Sequence, residues 1–121
     1  MTSTRTDPRA LDLADRVFEM VELLTRTEEY RASDEDEPLG RLHVAASQIL
    51  RHLSQAAMEL RPDAHTALLR TARRHAADAV HLLVPLRDQE VAHAESLLET
   101  AAEVVRDLDL LLRELPGEAE A

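Results

Sequence analysis

Apolar residues recur at intervals of three and four residues along most of the chain, and this spacing predicts amphipathic helices. The clearest apolar stripe contains Leu39, Leu42, Ala46, Ile49, Leu50, Leu53, Ala57 and Leu60. Four such stripes predict four helices, over about residues 10–30, 38–60, 64–87 and 90–115. Residues 1–9 are expected to form a flexible N-terminus, and residues 116–121 a disordered tail.

Local signals mark the ends of these helices. Asp7-Pro8 is a typical start for the first helix, with Asp7 as the cap and Pro8 at the first helical position. Asp63 is expected to cap the third helix, and Pro85 to loosen or end its last turn. A Pro-Gly pair directly after residue 115 stops the fourth helix.

Helix order and composition together predict the fold class. The connections after the second and third helices are short, which makes consecutive helices antiparallel neighbours. With one Phe, one Tyr and no Trp among 121 residues, the core must consist of Leu, Val, Ile and Ala, a set that suits packing of helix on helix. We therefore expect one all-α domain, an antiparallel up-down-up-down four-helix bundle.

Four leucines lie beside the stripes of the first and fourth helices. Leu13 and Leu23 widen the first stripe, and Leu110 and Leu111 widen the fourth. A four-helix core does not need them, and these two helices are neighbours in the predicted topology. They are therefore candidates for an interface between copies of the chain, the alternative being scattered surface leucines.

Charge is distributed unevenly along the chain. The net charge is −10, and the chain contains Arg but no Lys. Between Arg41 and His75 there are six Arg and two acids, whereas residues 1–40 and 76–121 each contain eleven acids. The acidic flanks would repel nucleic acid, although a basic surface on the central helices can act locally. The run Ser33–Glu37 is either a solvated connection or an acidic docking strip for a basic partner.

Five residues of the central helices form the candidate binding face. In a helical projection Arg41, Arg51 and His52 of the second helix point away from the core, as do Arg70 and Arg74 of the third. Neighbouring antiparallel helices would bring them to one side of the bundle. Such a face suits phosphate or an acidic protein surface, or else it is simply solvated. No aromatic residue interleaves the arginines, which disfavours stacking on single-stranded nucleic acid.

Metal chemistry has little support in the sequence. The absence of Cys excludes disulfides and thiolate sites. Carboxylate and histidine three residues apart, as in the di-iron sites of some bundles, occur at Asp78…His81 and Glu90…His93. The first pair points to solvent, the second lies in a first helical turn, and no inward Glu on the first two helices completes a set. We therefore expect no metal and no cofactor.

Two kinds of catalysis are the alternatives to binding. An Arg followed within two helical turns by a His, the motif of HEPN-type helical ribonucleases, occurs at Arg70…His75 and at Arg87…His93. The second pair stands at a helix turn, where His can polarise a ribose hydroxyl and Arg can hold the phosphate. His65 begins a segment faintly similar to the phosphorylated segment of histidine phosphotransfer domains, and it projects towards the core side of its helix.

The helix order and two segments resemble a known family. Leu39–Ile49 is similar to the second helix, and Leu68–Ala79 to the third, of the four-helix-bundle proteins encoded in bacterial rRNA intervening sequences. Their relatives include the accessory variability proteins (Avd) of diversity-generating retroelements. The resemblance implies a non-enzymatic bundle that forms a ring-like pentamer, which in the retroelement branch binds a reverse transcriptase and nucleic acid through basic residues. The positions carried over to such a face are Arg41, Arg51, Arg70 and Arg74.

The acidity of the first and fourth helices favours a protein partner over bare nucleic acid. The sequence therefore predicts a non-enzymatic homo-oligomer that binds a protein or nucleoprotein partner through the Arg-rich face. The cytoplasm is the expected location, and no membrane partner is expected, because neither a signal peptide nor a transmembrane run is visible.

Overall fold

The computed structural model describes residues 7–34 and 36–115, and within them the chain is all-helical, as predicted. These ranges contain five helices and no strand: α1 (Pro8–Thr25), α2 (Glu28–Arg31), α3 (Pro38–Met58), α4 (Pro62–Asp88) and α5 (Ala94–Arg113). None of these helices is both long and apolar enough to cross a bilayer. Most of the expected flexible N-terminus, and all of the expected tail 116–121, lie outside the described residues.

Each of the four long helices packs against two of the others. α3 contacts α1 and α4, and α5 contacts α1 and α4, while the short α2 touches α1 and α3. The two largest interfaces are those that α4 makes with α3 and with α5. The buried face of α4 is rich in alanine, since Ala72, Ala76 and Ala79 are fully buried there. Such small side chains allow neighbouring helices to approach closely.

The core consists of aliphatic side chains and alanine, with Met20 in addition. Its largest fully buried side chains are Val17, Leu24, Leu42, Ile49, Leu53, Leu69, Leu83, Val104 and Leu108. Two large apolar residues of the predicted helices lie outside it, because Phe18 is 51% exposed and Leu60 is 64% exposed. Leu60 follows the end of α3, so it no longer shares the buried face of that helix.

Most of the leucines that were expected at an interface between copies of the chain are buried or half-buried within the chain itself. Leu13 and Leu111 are 2% and 3% exposed and belong to the core, and Leu23 is half-buried against it. Of the four, only Leu110 remains largely exposed, at 48%. The expectation that the core has no need of Leu13 and Leu111 was wrong. Because α1 and α5 each pack against two helices, each needs a wider apolar face than a single stripe provides.

Asp7 connects three helix ends. Its carboxylate accepts hydrogen bonds from the N–H groups of Arg9 (3.0 Å) and Ala10 (3.3 Å), which confirms it as the cap of α1. Its other carboxylate oxygen lies 3.0 Å from Nε2 of His65, in the first turn of α4. Its backbone N–H donates to the carbonyl of Ala57 at the end of α3, at 2.9 Å. Residues 7–9, expected to be flexible, are therefore fixed to the rest of the chain.

The first helix is shorter than predicted, because α1 ends at Thr25 and not near residue 30. Thr27 is extended (φ −78°, ψ 128°), and its hydroxyl donates to the carbonyl of Leu23 at 3.1 Å. The Thr25 hydroxyl donates to the carbonyl of Glu22 at 3.0 Å. Threonine hydroxyls that donate to carbonyls of the preceding turn compete with the main-chain hydrogen bonds of a helix. Here both hydroxyls lie where the main-chain hydrogen bonds of α1 end. The single turn α2 follows the break.

The connection between α3 and α4 comes earlier in the chain than predicted. α3 ends at Met58 and α4 begins at Pro62, so Asp63 lies in the first turn of α4 and is not its cap. Proline at the first helical position has its φ already set and lacks only an N–H that would be unsatisfied there. The residue at the cap position, Arg61, pairs instead with Glu59 (Nε to Oε2, 3.1 Å).

α4 continues past Pro85 to Asp88 and ends in a left-handed residue, Glu90, with φ 58°. The N–H of Val91 donates to the carbonyl of Leu86 at 3.0 Å, and the N–H of Glu90 donates to that of Arg87 at 2.9 Å. These two bonds form a Schellman motif, whose left-handed position is usually glycine. The helix predicted from residue 90 therefore cannot start there.

α5 starts at Ala94 instead, after a second left-handed residue, His93, with φ 65°. The N–H of Ala94 donates to the carbonyl of Val91 at 3.1 Å, so residues 90–93 form a compact turn. Glycine relieves the clash of Cβ with the backbone that a left-handed conformation imposes.

Replacing Glu90 by Gly is expected to stabilise the protein by about 1 kcal/mol, because it removes the penalty of a left-handed non-glycine residue. For a chain of this size that is a rise in Tm of about 4 °C. The control is Glu99→Gly, at an exposed position inside α5, which should lower the stability by about 1 kcal/mol. Thermal unfolding followed by circular dichroism measures both. A lower Tm for Glu90→Gly would contradict this account of the turn.

Candidate binding surface

The predicted binding face lies on two helices that are direct neighbours, α3 and α4. Arg41, Arg51 and His52 belong to α3, and Arg70 and Arg74 belong to α4. All four arginines are exposed, whereas His52 is half-buried. We refer to the outer side of this helix pair as the α3–α4 surface.

An open groove follows the seam between the end of α3 and the start of α4. It has a volume of about 780 Å³. His52, Gln55 and Met58 line it from α3, and Leu68 and Thr71 line it from α4. Met58 is 56% exposed, and Leu68 is half-buried against the core. The groove therefore offers apolar area to a ligand.

A second groove, of about 400 Å³, lies along the same seam towards the start of α3. Arg41, Val44 and Gln48 line it from α3, and His75 and Leu82 line it from α4. Val44 is 48% exposed and Leu82 is half-buried against the core. Asp78 lines this groove too, so an arginine and an aspartate stand beside apolar side chains here.

Two histidines meet between the grooves. The ring centroids of His52 and His75 are 5.5 Å apart, and their planes are inclined by 33°. His52 lines the first groove and His75 lines the second. Nδ1 of His52 lies 2.7 Å from the carbonyl oxygen of Gln48, one turn earlier in α3. Because a carbonyl oxygen only accepts hydrogen bonds, Nδ1 carries a hydrogen, and in the neutral ring Nε2 carries the lone pair.

The sequence pointed to each of these histidines separately but not to their contact. His52 was part of the predicted face, and His75 appeared only in the Arg70…His75 spacing. Both lie on the flank of their helix that faces the other, which the helical projection shows. Whether the two rings meet depends on how far α3 and α4 are shifted along each other, and no sequence pattern indicates that shift.

Burial lowers the pKa of His75, and the proximity of His52 and Arg74 lowers it further, while Asp78 acts in the opposite direction. Desolvation disfavours the charged imidazolium, and neighbouring positive charge adds to that effect. His75 is therefore held in its neutral form to a lower pH than a histidine in solution.

The stability of the protein is expected to fall as the pH drops below about 6.5, the pKa of a histidine in the unfolded chain. His75 has a lower pKa in the folded state, so the unfolded chain takes up the proton first. The stability that the neutral ring contributes is complete above the unfolded pKa and is lost as the pH falls through the folded one.

Urea midpoints at about pH 7.5 and about pH 5.5, on either side of that pKa, measure this loss. His75→Gln should lose less stability between the two pH values than the wild-type protein. His81→Gln, at an exposed position on the same helix, should behave like the wild-type protein. An unchanged loss in His75→Gln would show that another group is responsible.

Two arginines of the α3–α4 surface, Arg51 and Arg74, have no ion-pair partner among the described residues. α3 contains two Arg and no acid. Within residues 7–34 and 36–115, neither Arg51 nor Arg74 forms an ion pair. On the side of α4 that faces α5, by contrast, Arg73 donates to both carboxylate oxygens of Asp109, at 2.9 and 3.3 Å. Among the described residues, positive charge is therefore neutralised at Arg73, beside α5, and left unpaired at Arg51 and Arg74.

For the ribonuclease alternative, the described residues show Arg87 and His93 in separate surroundings. The guanidinium of Arg87 donates to the carboxylate of its neighbour Asp88, at 3.2 Å from Nη2. His93 is exposed in the turn before α5. In the described part of the chain no hydrogen bond or ion pair joins Arg87 to His93. In the other matching pair, Arg70 is exposed whereas His75 is half-buried in the α3–α4 seam.

His65 is engaged in the structure of the chain. Its Nε2 lies 3.0 Å from the carboxylate of Asp7, with 16% of its side-chain surface exposed. A phosphotransfer histidine needs an accessible ring nitrogen, and this contact occupies Nε2. His81 and His93, each paired with a carboxylate in the sequence, are exposed. Among the described residues, no group of three or more His, Cys, Asp or Glu side chains is arranged to hold a metal ion.

The α3–α4 surface thus combines apolar grooves, the arginines Arg51 and Arg74, which form no ion pair among the described residues, and two histidines in contact. An acidic, amphipathic ligand is complementary to the grooves and to these two arginines. Comparison of the chain with protein-family models, with curated proteins and with solved structures finds no match.

Proposed function

We propose that this protein is a non-enzymatic binding protein, built as an antiparallel four-helix bundle, which captures an acidic protein partner on its α3–α4 surface. The observation that carries the proposal is the uncompensated positive charge of Arg51 and Arg74 beside two apolar grooves. Arg73, on the side of α4 that faces α5, is by contrast paired with Asp109. A surface that keeps positive charge unpaired, next to apolar area, is suited to an external anion.

The bundle arrangement is supported by contacts between helix ends. Asp7, at the start of α1, bonds to Ala57 at the end of α3. Arg9, also at the start of α1, pairs at 2.8 Å with Glu114, directly after α5. These contacts favour an α1 that runs opposite to both α3 and α5. The three-residue connection between α3 and α4 favours opposite directions for those two as well.

The chemistry of the surface favours a protein segment over bare nucleic acid. α5 contains five acids and two Arg, and α1 contains four acids and two Arg, so much of the remaining surface repels phosphate. An amphipathic helix with acidic residues beside its apolar stripe would fill the grooves and face the arginines. A nucleoprotein is the partner in the retroelement branch of the family that this chain resembles. Such a partner would bind the α3–α4 surface through its protein component.

Reversing the charge of Arg51 and Arg74 tests the surface. The double variant Arg51→Glu, Arg74→Glu is expected to bind the partner about a hundredfold more weakly, because two attractions become two repulsions. The partner is identified by affinity capture from cells of the source organism. It is then purified, and its Kd is measured by calorimetry.

The matched control is Arg26→Glu, Arg113→Glu, which changes the net charge equally. Both positions are exposed and lie at the ends of α1 and α5, away from the α3–α4 surface. It should bind within about threefold of the wild-type protein, and circular dichroism should show both variants folded. Equal losses of affinity in both double variants would show that the change in net charge alone causes the effect. Undiminished binding by the first would remove this surface from the proposal.

We further propose that the chain is a homo-oligomer, a pentamer if the family resemblance holds, located in the cytoplasm. Leu110 remains a candidate for the interface, and Leu11 and Phe18 of α1 add exposed apolar area, at 39% and 51%. Leu13 and Leu111 are excluded from it by their burial.

Light scattering behind size exclusion, at two protein concentrations, decides the oligomeric state. We expect a mass several times 13.6 kDa that does not change on dilution. The variant Leu110→Glu should lower that mass, since it places a charge in the apolar contact. A wild-type mass of one chain at both concentrations would refute self-association, while leaving the partner-binding proposal to its own test.

A further inference from the structure

We infer that His52 and His75 form a two-histidine site for a divalent late transition-metal ion, such as zinc, nickel or copper, which bridges α3 and α4. The site lies on the seam of the two helices, between the two grooves. This inference does not depend on the proposed function, because both ligands belong to this chain and no partner protein is needed.

The separation of the rings suits a shared metal ion. A metal that lies 2.0–2.1 Å from one nitrogen of each ring is about 3.2 Å from each ring centroid, so at a tetrahedral angle the two centroids are about 5.3 Å apart. The observed separation of the His52 and His75 centroids is 5.5 Å. The rings are inclined by 33° and are therefore not stacked face to face. The separation of the two rings is therefore in the range in which one ion can bind a nitrogen of each.

The hydrogen bond of His52 prepares one ligand. Its Nδ1 faces the carbonyl oxygen of Gln48 at 2.7 Å, which leaves the lone pair on Nε2. Histidines that bind metals commonly donate their other ring N–H to a carbonyl or carboxylate, which fixes the tautomer and the ring orientation. His52 has this arrangement without a metal having to create it.

The second ligand, His75, is half-buried in the seam of the two helices. The charge of Arg74 opposes a bound cation, while the carboxylate of Asp78 favours one. Imidazole nitrogens prefer zinc, nickel and copper over magnesium or calcium, and this preference defines the class of ion.

The coordination is incomplete by protein groups alone. No third His, Cys, Asp or Glu joins the pair among the described residues, so water fills the other positions. A site with two ligands on different helices is weaker than a structural zinc site with four, and its ion remains exchangeable. It also leaves positions to which an external carboxylate can bind.

Calorimetric titration of the untagged, full-length protein with zinc chloride, nickel chloride and copper sulfate tests the site. We expect saturable binding of one ion per chain, and a rise in Tm as the metal concentration increases, since the ion binds the folded state. His52→Gln and His75→Gln should each weaken binding at least tenfold. His43→Gln and His81→Gln are the matched controls, from α3 and α4 respectively, and should leave the affinity within about twofold.

A measurement on the wild-type protein alone guards against variants that fail to fold. Substoichiometric copper(II) should broaden the imidazole NMR signals of His52 and His75 before those of the other four histidines. Absence of saturable binding up to about 1 mM metal would overturn the inference, since that Kd corresponds to negligible affinity. Unchanged binding in folded His52→Gln or His75→Gln, or broadening centred on another histidine, would do the same.

Discussion

The packing of α4 between α3 and α5 is the constraint on which the rest of the structure depends. α4 meets both neighbours with a buried face in which alanine replaces the usual leucine at Ala72, Ala76 and Ala79. The distance between packed helices follows the size of the side chains between them. A close approach of α3 to α4 brings the imidazoles of His52 and His75 into contact on the outer side of the seam. Larger side chains in the seam would separate these rings.

Electrostatics divides the molecule into two unlike halves. α5 supplies carboxylates that neutralise arginines of its neighbours, with Asp109 facing Arg73 and Asp107 facing Arg16 at 2.8 Å. α3 supplies none. The acidic total of the chain therefore conceals a locally positive surface, and net charge alone would misjudge which ligands the protein attracts.

Much of the fold was predictable because its signals are local in the sequence. The periodic stripes predicted the long helices, and Asp7 predicted the start of α1. The differences from the predicted helix ends arise where a side chain competes with the main chain for hydrogen bonds, or where a residue adopts a conformation that its type disfavours. Thr25 and Thr27 bond to the preceding turn at the end of α1, and Glu90 adopts a conformation that normally signals glycine. The candidate site was half-predictable, since helical projection identifies the outward arginines but cannot give the axial offset that joins His52 to His75.

The contact of α1 with α5 is the smallest interface between long helices. Its outer edge is secured by ion pairs such as that of Arg9 with Glu114, whose side chains are 56% and 58% exposed. Ion pairs as exposed as this one add little stability, at most about 1 kcal/mol each. Of the contacts between long helices, that of α1 with α5 therefore has the least packing to hold it. We accordingly expect the amides of α1 to exchange with solvent through a smaller opening free energy than those of α4, which forms the two largest interfaces.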